Sequence, residues 1–113
     1  EFYPKAKLYG IDISSVGIEK CKESYGCLAD FTAGTEKEMQ DADIVIASNV
    51  FEHLTNDRKV AKRILQKTKK LYIVVPYKEN PLMDEHVNSY DEFYLSELNV
   101  LWFKIFFAKG WTE

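Results

Sequence analysis

At 113 residues the chain is long enough for one domain with a core, and small for a complete cofactor-dependent enzyme. Its 15 basic against 18 acidic residues leave a net charge of −3, which argues against nucleic acid as a main ligand. A hydrophobic content of 46% is ordinary for a soluble globular chain, no apolar run approaches a membrane span, and no signal peptide is read, so no membrane partner is expected.

Taken in chain order, Leu8-Tyr9-Gly10-Ile11-Asp12 reads as a strand over about residues 7–12, apolar and closed by one acid. Ser14 or Ser15 can cap a helix to about Tyr25, with Ile18, Cys21 and Tyr25 on one face, and Gly26 stops it. Cys27–Phe31 reads as a second strand meeting Asp30 near its end, and Thr35–Gln40 as a weak helical turn. Asp43–Ser48 is a third strand, apolar on both faces and so expected at the centre of a parallel sheet. The clearest helix spans about 56–69, with Val60, Ala61, Ile64 and Leu65 as its apolar stripe. Leu71–Val75 is a fourth strand closed by Pro76. A loop over 77–90 follows, then a helix from Asp91 to about Leu98, a final strand over Leu101–Phe107 and a turn at Gly110. Strands alternating with helices imply parallel βαβ units, hence an α/β, doubly wound, mostly parallel Rossmann-like sheet with helices on both faces.

Several residues suggest chemistry. Asp12, at the carboxyl end of a strand, stands where ligands bind in such sheets, and its carboxylate can accept both vicinal hydroxyls of a ribose. A plain helix-capping role fits Asp12 as well. His53 has a side chain that titrates near neutrality and could take a proton from an acceptor, or it could simply orient a loop. His86 faces the same choice, in a loop that could close over substrate. Cys21 and Cys27, without a histidine nearby, suit neither a zinc site nor a disulfide scaffold. No metal site is therefore expected, and a reduced, cytoplasmic compartment is the simplest expectation. The Lys and Arg residues of the 56–69 helix read as a solvated face. Trp102, Phe103, Phe106 and Phe107 read as buried strand, or as an interface at an unpaired sheet edge through which two copies could pair.

Tyr9-Gly10-Ile11-Asp12-Ile13-Ser14, Ala29-Asp30-Phe31 and the run Asp43–Ser48 continuing through Asn49-Val50-Phe51-Glu52-His53-Leu54 resemble, in order and spacing, the class I S-adenosylmethionine-dependent methyltransferases of the type 11 and type 12 kind. The loop Asp84–Tyr90 is similar to that family's stretch before its sixth strand. The resemblance implies S-adenosylmethionine as cofactor and methyl transfer to a small-molecule acceptor. It implies that Asp12 holds the ribose, that Asp30 meets the adenine, and that Ile13 and Phe31 wall the ring. Ser48, with Asn49, would meet the methionine end through its backbone, and His53 would be the candidate catalytic residue. It also implies a partial domain over 1–113, because the family's first strand, its glycine-rich loop and its last strand have no counterpart here. In the family that first strand lies between the strands matching 7–12 and 43–48. Two other functions compete: a nicotinamide-dependent Rossmann oxidoreductase, for which no Tyr-x-x-x-Lys pair is found, and a non-catalytic remnant serving as an interaction domain.

Overall fold

A computed structural model describes residues 5–107, and these form two compact units that divide between Ala42 and Asp43. In the first unit, β1 (Tyr9–Asp12) leads into α1 (Ser15–Tyr25) and then β2 (Asp30–Ala33). The two strands pair in parallel, with Tyr9 opposite Asp30 and Asp12 opposite Ala33. Ser14 caps α1 through its Oγ, which accepts the Gly17 N–H at 3.0 Å, and the Asp12 carboxylate accepts the Ser14 N–H at 2.8 Å. Strand end and helix start are thus tied by an Asx turn at Asp12 followed by the Ser14 cap. α1 packs on both strands and buries Ile18, with Cys21 half-buried, whereas Tyr25, expected on the same face, is 56% exposed.

Gly26 ends the helix as expected, and a β-carbon there would collide with the Lys22 carbonyl oxygen. The expected second strand begins three residues late. The N–H groups of Leu28 and Ala29 both turn back to the Tyr25 carbonyl, which keeps Cys27–Ala29 in a turn and delays pairing until Asp30. The weak helical turn expected over 35–40 reduces to a turn in which the Glu38 carboxylate accepts the Thr35 N–H at 2.6 Å.

The second unit holds β3 (Ala42–Ser48) from its second residue on, a 3-10 turn over Phe51–His53, α2 (Asp57–Leu65) and β4 (Thr68–Val74). The Asn49 N–H donates to the Val74 carbonyl at 2.9 Å, so the carboxyl ends of β3 and β4 lie side by side and the pair is parallel. The long helix expected to Lys69 stops at Leu65, because Gln66 and Lys67 donate to Arg63 and Ile64 in a tightened last turn and Thr68 already belongs to β4. α2 packs on β4 and buries Val60, Ala61 and Ile64; Leu65, placed in the stripe from sequence, is 40% exposed. β3 was expected to be buried on both faces, yet only Ala47 is buried, while Ile44 and Ile46 are exposed.

The helix expected over 91–98 is a set of turns ending in a single 3-10 turn, Ser96–Leu98. Asp91 does cap, taking the N–H groups of Phe93 and Tyr94. The Tyr94 carbonyl, however, which a helix would use, accepts from the Arg58 guanidinium at 2.8 Å, and Asn99 turns left-handed at φ 51°. Leu101–Phe107 is exposed and irregular rather than a strand, since no other described strand pairs with it. The turn expected at Gly110 lies outside the described residues. The described strands thus form two parallel pairs, β1 with β2 and β3 with β4, rather than one sheet.

Candidate functional site

The site residues expected from sequence fall in both units. In the first, Asp12 closes β1 on the exposed surface, and one of its oxygens is held by the Ser14 N–H. That bond is an Asx turn just ahead of the Ser14 cap, so Asp12 does not itself cap α1, and it fixes the Asp12 rotamer. Its second carboxylate oxygen has no partner among the described residues. Ile13 follows with 81% of its surface exposed, which removes the reading of Ile13 as plain core. Strand alternation places Gly10 and Asp12 on one face, and the register adds Phe31 and Ala33 to that face. The Phe31 ring lies so close over Gly10 that a β-carbon there would stand 2.6 Å from Cδ1.

Asp30 is placed differently from expectation. It opens β2 opposite Tyr9 instead of closing it beside Asp12, so it sits three residues, about 10 Å, back along the strands. Asp30 lines a shallow cleft with Lys7, Cys27 and Leu28 at that amino end. Asp12 and Asp30 therefore stand at opposite ends of the paired strands.

In the second unit, Ser48 ends β3, and Asn49 follows with a left-handed φ of 53°. That conformation turns the chain sharply out of the strand and into the 3-10 turn carrying Phe51, Glu52 and His53. Phe51 and Glu52 are buried at 0% and 1% exposure. Their backbone is gripped by the loop over 83–90. The Glu52 carbonyl accepts the N–H groups of Val87 at 2.7 Å and Asn88 at 3.2 Å. The Asn88 side-chain amide donates to the carbonyls of Phe51 and Leu54, and the Tyr90 hydroxyl reaches the Phe51 carbonyl at 2.8 Å and the buried Asp57 carboxylate at 2.7 Å. Tyr94 completes the network by donating to the Asn88 side-chain oxygen. Burial first, and then the Asp57 carboxylate, push the Tyr90 phenol far above its usual range.

This clamp brings the two histidines of the chain together, with ring centroids 4.6 Å apart and planes at 81°. Each ring is held through Nδ1. That of His53 lies 3.1 Å from the Glu85 carbonyl oxygen, and that of His86 lies 2.8 Å from the Glu79 carboxylate. A carbonyl or carboxylate oxygen only accepts, so both Nδ1 atoms carry the proton and both Nε2 atoms keep a lone pair in the neutral ring. Glu79 is itself buried, and its other oxygen takes the Met83 N–H at 3.4 Å. Glu52 adds a carboxylate whose Oε2 is buried without a hydrogen-bond partner. Glu52, His53 and His86 each offer one ligand atom within 4.8 Å of the other two.

From sequence His53 and His86 stand as separate candidates, and Glu52, Glu79, Asn88 and Tyr90 carry no role. The signal that could have joined them is a repeated dipeptide, Glu52-His53 and Glu85-His86, in a chain with only two histidines. The expectation of no metal site rests on the cysteines and does not weigh that repeat. Cys21 and Cys27 are unpaired thiols, and among the described residues no helix is long and apolar enough to cross a membrane. Compared with family models, curated proteins and solved structures, the chain has no significant match.

Proposed function

We propose that the chain belongs to an S-adenosylmethionine-dependent methyltransferase of class I that acts on a small-molecule acceptor in the cytoplasm, built on a doubly wound Rossmann-like sheet. The strand pairing carries this reading. In that family's sheet the first strand separates the strands that correspond to β1 and β3. The neighbours flanking it on either side correspond to β1 with β2 and β3 with β4, and those are the two parallel pairs observed.

Asp12 is suited to the ribose. One oxygen is anchored by the Ser14 N–H, so the other is presented in a fixed direction at the strand end, beside an exposed Ile13 that an adenine ring could cover. Methyl transfer asks mainly for an in-line approach to the sulfonium carbon, so positioning groups can suffice. His53 fits the positioning role, since its Nδ1 proton ties the 3-10 turn to the loop carrying His86.

Calorimetry of the intact protein with S-adenosylhomocysteine tests the proposal. Replacing Asp12→Ala should weaken binding about tenfold or more, the loss of about 1.5–3 kcal/mol that a charged hydrogen bond carries. Unchanged affinity in a folded variant removes Asp12 from the site. Failure of the intact protein to bind S-adenosylhomocysteine, with tight binding of a nicotinamide dinucleotide instead, replaces the reading with the oxidoreductase.

A further inference from the structure

We propose that Glu52, His53 and His86 form a binding site for one divalent transition-metal ion, with two imidazole nitrogens and one carboxylate as protein ligands. Two independent observations converge on it. The first is the cluster itself, one ligand atom from each residue within 4.8 Å of the others. The second is the Glu52 side chain, which is almost completely buried and has an oxygen with no hydrogen-bond partner among the described residues. A buried carboxylate oxygen without a donor requires compensation, and a cation supplies it.

The surroundings of both histidines have the form that metal-binding imidazoles require. A ligating histidine gives its other N–H to a carboxylate or a backbone carbonyl, which fixes the tautomer and the ring. His86 gives Nδ1–H to the buried Glu79 carboxylate, and His53 gives Nδ1–H to the Glu85 carbonyl. The two Nε2 lone pairs are thereby left for an ion. The ligands are also held on a stiff frame, because the Glu52 carbonyl itself accepts the N–H groups of Val87 and Asn88, next to His86. Ligands at about 2.0–2.1 Å from one ion stand roughly 3.3 Å apart, so binding draws the three groups inward by about an ångström.

The donor set selects the ion. Two nitrogens and one carboxylate suit Zn²⁺, Fe²⁺ or Co²⁺, and do not suit Mg²⁺, which demands oxygen ligands in octahedral array. Three protein ligands leave coordination positions for water or for a substrate oxygen. His53 is exposed, so the site is reached from solvent. With Nε2 committed to the ion, His53 is a metal ligand and not a general base. The inference stands on side-chain geometry alone and does not depend on methyl transfer.

The test uses the intact protein stripped with chelator and titrated with Zn²⁺ alone by calorimetry, and with Co²⁺ alone by visible absorption. One ion per chain is expected, with a Co²⁺ spectrum of nitrogen and oxygen ligation and no competition from Mg²⁺. Glu79→Gln should weaken Zn²⁺ binding by about 10–100-fold, and His53→Ala and Glu52→Gln by at least about 100-fold. Circular dichroism in chelator establishes that each variant is folded; should Glu52→Gln not fold, the exposed His53→Ala decides. No stoichiometric binding, equal competition by Mg²⁺, or unchanged Zn²⁺ affinity in folded His53→Ala overturns the proposal.

Discussion

Removing a single oxygen from Tyr90 probes the clamp that assembles the two histidines. The Tyr90 side chain is 3% exposed, and its hydroxyl lies 2.7 Å from the Asp57 carboxylate and 2.8 Å from the Phe51 carbonyl. Tyr90→Phe keeps the ring and its packing, so the loss is confined to hydrogen bonding. The Phe51 carbonyl retains the Asn88 amide at 3.1 Å and the Leu54 N–H. Asp57 Oδ2 has no such substitute, because the Arg58 N–H is bonded to the other oxygen. A hydrogen bond to a buried charge is worth about 1.5–3 kcal/mol. The expected destabilisation is therefore about 2 kcal/mol, or a fall in Tm of roughly 8–16 °C for a domain of this size. Urea unfolding followed by circular dichroism measures it, and Asp57→Asn combined with Tyr90→Phe should show strong non-additivity. A loss below about 0.5 kcal/mol, the range of an ordinary surface change, would refute the idea that this hydroxyl and carboxylate hold the site together.

The same tyrosine sets an alkaline limit. Its folded-state pKa lies far above the unfolded value near 10, so this stabilisation is complete below about pH 10 and fades as the unfolded phenol ionises at higher pH. Melting curves between about pH 9 and about pH 11 should show the gap between parent and Tyr90→Phe narrowing with rising pH; a constant gap contradicts the assignment. In the other unit, Gly10→Ala places a β-carbon 2.6 Å from the Phe31 ring and should destabilise by about 1–3 kcal/mol in urea. The double change with Phe31→Leu should recover most of that loss, and no recovery would mean that the ring is not the obstacle.

Local chemistry carried much of the chain without help. The Ser14 cap and the Gly26 stop bound α1, and the apolar runs of β1 and β3 appear close to where their residues place them. Asp91 caps as its residue type dictates, because a carboxylate two and three positions ahead of free N–H groups needs no distant partner. What followed from distant partners was not contained in any local pattern. The Arg58 guanidinium takes the carbonyl that a helix after Asp91 needs, and β2 starts at Asp30 because Leu28 and Ala29 fold back on Tyr25. Leu101–Phe107 has the composition of a strand but lacks a neighbour among the described residues, and a strand exists only through the hydrogen bonds of another. The site shows the same division. Its residues are plain in the sequence as two Glu-His pairs, yet nothing local says that they meet. Tertiary structure alone decided that, because the loop over 83–90 satisfies the backbone carbonyls of Phe51, Glu52 and Leu54, and those bonds bring His86 beside His53, next to a buried Glu52 with one unpartnered oxygen.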